Sequence, residues 1–224
     1  MFVYAEFYTK YMEKQEIRTF GRRHGKKLSA RQNLLIESVL PTIKPTKIPA
    51  NTGLILEIGF GAGEHLREIS RQNPKKIVIG AEPFMNGVAS LLSAITDEQN
   101  SIRSEYKNIR VFADDVRDFL RNTDSKFEQI WVLHPDPWPK ARHEKRRLLS
   151  ADFLELLSNH LTNDGEIIIG TDHWEYFEWI ENQAKSTKLV KNIPDLQTIH
   201  TRYQEKNKAG TEAPKYMILK LPKH

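Results

Sequence analysis

The stretch HPDPWPKARHEKRR at 134–147 places an acid, an aromatic ring and a basic cluster side by side. Asp136 lies between two prolines, which stiffen the backbone and disfavour helix at that point. An acid held in this way can read the polar edge of a nucleobase. Trp138 has two interpretations that the sequence leaves open. Its ring can stack on a base, which is worth ~1–3 kcal/mol, or it can close a pocket as an apolar lid.

The basic residues that follow can hold a phosphate backbone next to that acid. On a helix, Arg142, Lys145 and Arg146 share a face, although a solvated helix face is the alternative interpretation. A second basic cluster lies at 14–31, and the net charge is +5. Two separate basic patches indicate an extended polyanion as partner. The expected RNA-backbone contacts are Arg18, Arg22, Arg23, Lys26, Arg142, Lys145, Arg146 and Arg147.

A glycine-rich loop, EIGFGAGE at 57–64, is the second candidate site. Gly59, Gly61 and Gly63 let the backbone approach a ligand closely. The third glycine of the dinucleotide fingerprint would fall at Glu64, where an acid would repel a pyrophosphate. The loop therefore favours a ligand without phosphates, such as S-adenosylmethionine, over NAD. Glu57 can face the positive groups of that ligand.

Acids also follow the other apolar runs of the chain. Glu82 is placed to accept hydrogen bonds from ribose hydroxyls. Asp114 and Asp115 come where an adenine would lie, and Asp172 ends the last of these runs. Each acid alone is weak, because acids often begin helices, but together they predict one ligand site. The eight His residues lack metal-ligand spacing, so we predict no metal.

These residues can form one site only in a fold that brings the ends of several strands together. Apolar runs at 54–59, 76–82, 109–114, 128–134 and 166–172 alternate with helical stretches at 63–72, 84–98, 115–121, 148–160 and 173–185. This alternation predicts a parallel sheet with helices on both faces. The runs 196–203 and 215–221 lack a helix between them and predict a closing antiparallel pair. The result is a Rossmann-like α/β fold with seven strands, which binds ligands beyond the carboxyl ends of its strands.

The length of 224 residues fits one domain, with a basic arm at about 1–28 and a helix from Ser29 to about Leu40. In that helix, Leu34, Leu35, Val39 and Leu40 are expected mostly on one face. The chain has no Cys and no apolar run of membrane-spanning length, so disulfides and thiolate sites are excluded. We expect a cytoplasmic protein without membrane contact, as a monomer or a homodimer.

Seven motifs spread along the chain can be compared with those of known families: RTFGRR (18–23), LEIGFGAGE (56–64), GAE (80–82), NGV (86–88), PDPWPKARHEKRR (135–147), GTD (170–172) and TRY (201–203). In these motifs the sequence resembles the bacterial tRNA (guanine-N7)-methyltransferases. This resemblance implies a class I methyltransferase fold and methyl transfer from S-adenosylmethionine to N7 of a guanine in the variable loop of tRNA. It implies cofactor contacts at Glu57, Glu82, Asp115 and Asp136, with Asp136 as the catalytic residue.

The resemblance also implies substrate contacts at Lys140, Asp172 and a C-terminal stretch that comprises Thr201, Arg202, Tyr203 and Gln204. The family usually has Glu where this chain has Gln204, and Glu205 follows one residue later, so either residue can take that role. Two other functions stay open. One is methylation of an exocyclic base amine, because Pro-Asp-Pro-Trp is close in composition to the motif of those enzymes. The other is an inactive RNA-binding module on the same fold.

Overall fold

The computed structural model describes residues 21, 23, 25–46, 48, 52–192 and 214–223. Within these residues, seven strands form one sheet. The first five are parallel to one another: β1 (Leu54–Ile58), β2 (Ile77–Ala81), β3 (Ile109–Phe112), β4 (Phe127–Leu133) and β5 (Leu161–Thr171). The last two, β6 (Val190–Asn192) and β7 (Lys215–Lys220), pair antiparallel to each other, and β7 also pairs antiparallel to β5.

Helices cover both faces of the sheet: α1 (Ala30–Ser38), α2 (Glu64–Gln72), α3 (Met85–Ile95), α4 (Val116–Arg121), α5 (Ala151–Ser158) and α6 (Trp174–Ala184). Every residue of β1 and β2 is buried, as expected for strands with a helix layer on each side. Successive side chains of β1 therefore enter different cores. Ile55 packs with α1, α2 and α3, whereas Leu56 packs with α4, α5 and α6.

The strand order is β3-β2-β1-β4-β5-β7-β6. The chain moves outward from β1 through β2 to β3, and then returns to place β4 on the other side of β1. This reversal opens a crevice outside the carboxyl ends of β1 and β4, which is where open α/β sheets bind ligands. The fold therefore directs the loops that carry the glycines and Asp136 to one edge of the sheet.

The predicted Rossmann-like architecture is confirmed, including the alternation of five strands with helices and the antiparallel end of the sheet. Two boundaries differ. β5 begins at Leu161 rather than at 166, because its first part pairs with β4 beyond a register shift. The partner of β7 is Val190–Asn192, upstream of the predicted strand at 196–203, which lies outside the described residues.

Helix α1 begins where the sequence predicts, at a reciprocal cap in which Ser29 accepts from the Gln32 backbone and Gln32 accepts from the Ser29 backbone. Leu35 and Val39 are buried as predicted. The prediction for Leu34 is wrong, since its side chain is 47% exposed. Adjacent helix residues point about 100° apart, and in α1 the direction that faces the core is that of Leu35.

No helix in the described ranges has the length and apolar character that crossing a membrane requires.

Candidate active site

A cavity of about 700 Å³ lies at the carboxyl edge of the sheet. This volume is typical of sites for small organic ligands. Residues that directly follow β1, β2 and β4 form much of its wall, together with the start of α4 and the segment before α5. The wall contains the predicted site residues Gly59, Glu82, Asp115, Asp136, Arg146 and Arg147, and it also contains Trp138.

The glycine loop reaches the cavity in a conformation that other residues rarely adopt. Gly59, Gly61 and Gly63 have φ values of 74°, 56° and 77°. A Cβ built at Gly59 meets nothing within 4 Å, so its backbone is open to a ligand. A Cβ at Gly63 would lie 2.5 Å from Leu91 Cδ1. Gly63 therefore brings α2 against α3, whereas the third glycine of the dinucleotide fingerprint, one residue later, serves the packing of helix on strand.

Glu82 joins this loop to the second strand end. Its Oε2 accepts the Gly61 N–H at 2.8 Å, and its Oε1 accepts the Phe84 N–H at 2.9 Å. Burial raises the pKa of Glu82, and the two backbone donors oppose that shift. Each carboxylate oxygen has a second lone pair, so Glu82 can still accept from a ligand hydroxyl in the cavity.

Glu57 has a different position from the one expected. It is buried in β1 but is not part of the cavity wall. Its Oε2 lies 3.2 Å from His65 Nδ1, and the His65 ring packs edge-on to Trp131 at 4.8 Å. The contact joins β1 to the first turn of α2. A direct contact between Glu57 and a cofactor stays a prediction.

The two acids after β3 are not equivalent. Asp115 is in the cavity wall, caps α4 by accepting the Arg117 N–H at 3.0 Å, and pairs with the Arg117 side chain. Asp114 is 51% exposed, lies 3.3 Å from Arg23, and is not in that wall. Of the two, Asp115 is therefore the better placed to contact a ligand in this cavity.

The loop after β4 has unusual backbone conformations on both sides of Asp136. His134 has φ 50° and Trp138 has φ 43°. Asp136 is exposed and is in the cavity wall. The Trp138 ring also belongs to the wall, its centroid is 5.1 Å from the Arg146 guanidinium, and His143 packs edge-on to it at 5.7 Å. One ring face is thus covered by Arg146, so any base would have to stack on the other.

Asp172 follows β5 and lies beside the same loop. Its Oδ1 is 3.8 Å from His134 Nδ1. His134 is in the cavity wall, and burial lowers its pKa although the Asp172 carboxylate opposes that shift. The Asp172 carboxylate therefore lies at this edge of the sheet, beside a residue of the cavity wall.

The predicted RNA-binding cations that the structure describes divide into an exposed group and a group turned toward the protein. Arg23, Lys26, Arg142 and Lys145 are exposed, and so is Lys140, the predicted substrate contact. The shared helix face predicted for Arg142, Lys145 and Arg146 is wrong, because Ala141–Arg146 is a 3₁₀ helix. Residues three apart eclipse in that geometry, so Arg142 and Lys145 align while Arg146 turns onto Trp138. Outside the described residues are Arg18, Arg22, Thr201, Arg202, Tyr203 and Gln204.

Arg147 also departs from the expectation of a phosphate contact. Its Nε donates to the Pro137 carbonyl at 2.9 Å, and its guanidinium lies 5.1 Å from the Trp179 ring centroid. The side chain is half-buried between the Asp136 loop and α6. An arginine with these contacts is turned inward, toward the Pro137 carbonyl and the Trp179 ring, and not outward to a phosphate backbone.

Comparison with known proteins gives the family. Residues 51–218 match a family model described as "Putative methyltransferase". Proteins named tRNA (guanine-N(7)-)-methyltransferase are similar over most of their length. The one from Caulobacter vibrioides is 34% identical over 218 residues, which is 90% of this chain and 93% of the relative. The one from Paramagnetospirillum magneticum is 38% identical over 223 residues, with 90% and 91% covered.

This chain belongs to the tRNA (guanine-N7-)-methyltransferase family. A relative of the same name from Neorickettsia sennetsu is 34% identical over 200 residues, with 86% of this chain and 89% of the relative covered.

Solved structures of other methyltransferases share the fold. A precorrin-6y C5,15-methyltransferase from Geobacter metallireducens superposes with a TM-score of 0.51 at 11% identity, covering 88% of this chain and 91% of the other. An antibiotic-related methyltransferase superposes with a TM-score of 0.53 at 10% identity, covering 88% and 97%. At these identities the likeness concerns the fold alone.

One residue of the NGV motif has a function that sequence reasoning missed. Asn86, in the first turn of α3, accepts the Gly25 N–H at 2.7 Å and donates to the Lys26 carbonyl at 2.7 Å. The Met85 N–H also donates to the Arg23 carbonyl at 3.1 Å. These bonds fix the end of the basic arm beside Gly21, which is in the cavity wall. A short-range pattern could not reveal a contact across 61 positions.

The described residues contain no cluster of three or more His, Asp or Glu side chains arranged to hold a metal ion.

Proposed function

We propose that this chain transfers the methyl group of S-adenosylmethionine to N7 of a guanine in tRNA, which gives 7-methylguanosine. The observation that carries the proposal is the cavity in which the open glycine backbone, Glu82, Asp115 and Asp136 share one wall. The names of the similar proteins support the choice of tRNA guanine as the substrate. The resemblance of the motifs supports the variable loop as the location of that guanine.

The residues of the cavity fit S-adenosylmethionine. The Gly59 backbone is open to a ligand, and no phosphate-binding role is required of the loop, whose helix begins with Glu64. Glu82 can accept from ribose hydroxyls with its remaining lone pairs, and Asp115 lies where the adenine amine can donate. When bound, this cofactor supplies a sulfonium methyl group, which is an electrophile.

The protein residues then have to align the guanine rather than remove a proton. Guanine N7 is a neutral lone pair, so the transfer needs no general base. Well-oriented reactants gain roughly 7–11 kcal/mol over free encounter. Asp136 or Asp172 can accept from the ring N–H and the 2-amino group of guanine, which adenine does not offer as a pair. The same carboxylates favour the positive charge that develops on the base.

Exposed cations next to the cavity can hold the tRNA backbone. Arg142 and Lys145 align on the 3₁₀ helix after the Asp136 loop, and Lys140 precedes them. Arg23 and Lys26 lie on the arm segment that Asn86 holds. A phosphate backbone that contacts both groups would pass the mouth of the cavity, where the base has to enter.

The test is methyl transfer from labelled S-adenosylmethionine to total tRNA, followed by cleavage specific for 7-methylguanosine. We expect label in tRNA and strand cleavage at a single guanine, which mapping should locate in the variable loop. A matched transcript with 7-deazaguanine has no N7 nucleophile and should remain unlabelled. Label in that transcript would indicate an exocyclic amine as acceptor, and cofactor binding without transfer to any RNA would indicate an inactive module.

We further propose that residues 1–224 act as one methyltransferase domain with a basic arm at about 1–28, in the cytoplasm, as a monomer or a homodimer. Sedimentation of the full chain distinguishes the two oligomeric states.

A further inference from the structure

The Asp136 loop is attached to α6 through Arg147. The Arg147 Nε donates to the carbonyl of Pro137, the residue directly after Asp136, at 2.9 Å. Its guanidinium lies 5.4 Å from the Tyr176 ring centroid and 5.1 Å from that of Trp179, and both rings belong to α6. Tyr176 is fully buried, and burial raises its pKa to about 12, so Arg147 packs against a neutral ring.

A second contact joins the same two segments. The Trp179 Nε1–H donates to Glu144 Oε1 at 2.8 Å, and Glu144 lies in the 3₁₀ helix Ala141–Arg146. The Tyr176 and Trp179 rings pack on each other at 5.7 Å. Helix α6 thus holds the 3₁₀ helix at Glu144 and its C-terminal cap at Arg147, and the Arg147 side chain in turn binds the Pro137 carbonyl.

Such a constraint is needed because the loop has a strained conformation. Trp138, next to Pro137, has φ 43°, which bulky residues adopt only where the surroundings enforce it. Because a guanidinium is planar and its donors are fixed, it can stack on aromatic rings and donate to a carbonyl at once. A lysine keeps the charge but cannot do both.

We propose that Arg147 is a positioning residue, which holds Asp136 at the base-binding edge through the Pro137 carbonyl and does not bind tRNA phosphate. The proposal rests on the proposed function, because it is the guanine that Asp136 has to meet. A small misplacement of a reading group can reduce a transfer rate about 100-fold. The loss should therefore be in the rate of the bound complex, and tRNA affinity should change little.

The experiment compares Arg147→Lys and Arg147→Ala with Arg142→Ala, in which an exposed cation is removed. For each, the single-turnover rate at saturating tRNA and the salt dependence of tRNA binding are measured. Arg147→Lys, which keeps the charge, should lower the rate about 10- to 100-fold, and Arg147→Ala, which removes the charge, should leave the salt slope at the wild-type value. Arg142→Ala should reduce the slope by about 0.7 to 0.9. Full activity of Arg147→Lys, or a reduced salt slope in Arg147→Ala, would overturn the assignment.

Two further measurements separate the outcomes. If Arg147→Lys fails to fold, Trp179→Phe takes its place. This variant keeps an aromatic ring but loses the donor to Glu144, and it should also lower the rate. Hydrogen exchange over 134–140 in the ligand-free protein should be faster in Arg147→Lys, and unchanged exchange contradicts the proposal. If the wild-type chain transfers no methyl group, the proposed function fails, while this exchange measurement still tests the attachment.

Discussion

Asp136 is exposed and projects from a loop whose conformation is set by its neighbours. Its removal should therefore affect the reaction and leave the fold intact. We expect Asp136→Ala to lower the single-turnover rate by about 100- to 1000-fold, the usual loss when one electrostatic partner of a transition state is removed. Asp136→Asn keeps the shape but not the charge and should retain more activity. A near-normal rate in Asp136→Ala, with an unchanged melting temperature, would contradict the catalytic role.

Glu82 is constrained at both oxygens, which makes it sensitive to an isosteric change. In Glu82→Gln the side-chain nitrogen cannot accept, so either the Gly61 or the Phe84 N–H loses its partner. Hydrogen bonds to a charged group contribute about 1.5–3 kcal/mol. We expect S-adenosylmethionine affinity to fall about 10- to 100-fold by titration calorimetry. Glu68→Gln, on the exposed side of α2, is the matched control. Equal affinity in both variants would exclude a role for Glu82.

The burial of His134 predicts how the stability of the protein depends on pH. Burial lowers its pKa below the ordinary 6.5, so the folded state binds the proton more weakly than the unfolded state. The free energy of unfolding should therefore decrease as the pH falls below about 6.5 toward the folded pKa. Asn does not titrate and tolerates the positive φ of this position. His134→Asn should show a shallower decrease between pH 7.5 and 5.5 in urea denaturation, and an identical profile would contradict this.

At the scale of elements, the glycine loop combines two different needs. Gly63 requires both a left-handed backbone and space beside Leu91, whereas Gly59 requires only the backbone conformation. We expect Gly59→Ala to cost about 1–2 kcal/mol of stability from backbone strain, and Gly63→Ala to cost clearly more because its Cβ overlaps Leu91. Chemical denaturation of the two variants measures the difference. Equal losses would mean that α3 adjusts freely to the added methyl group.

The elements themselves follow from local patterns, which is why the sequence predicts them well. Apolar runs such as Leu54–Ile58 are short and bounded by glycine or acids, and Ser29 and Asp115 cap helices at the predicted places. Errors occur where tertiary contacts decide. The first part of β5 is defined by pairing with β4, and the exposure of Leu34 depends on what α1 packs against.

The candidate site, like the elements, can be predicted where local patterns decide it and not where tertiary contacts do. The topology brings the carboxyl ends of the strands together whatever the side chains are. The presence of Glu82, Asp115 and Asp136 in one cavity wall could therefore be predicted from their positions after apolar runs. The direction in which a side chain points could not be predicted in this way. A basic run does not reveal that Arg147 turns inward onto Trp179, because that ring is brought near it only by the packing of α6.

At the scale of the whole molecule, charge is distributed over two edges of the sheet. The net charge of +5 alone would attract a polyanion weakly and without direction. Arg142 and Lys145 lie next to the cavity, whereas Lys75 and Lys107 are equally exposed but precede β2 and β3, at the opposite edge. If tRNA inserts its base into the cavity, Arg142 and Lys145 should contact phosphates, and Lys75 and Lys107 should not.

This difference can be measured by counterion release. The logarithm of the tRNA binding constant should fall linearly with the logarithm of salt concentration, by about 0.7 to 0.9 per neutralised phosphate. The double variant Arg142→Ala/Lys145→Ala should reduce the slope by roughly 1.4 to 1.8. Lys75→Ala/Lys107→Ala removes the same charge and should leave the slope at the wild-type value, because those cations lie far from the bound backbone. Equal reductions in both variants would mean that tRNA is attracted by net charge and has no fixed path past the cavity.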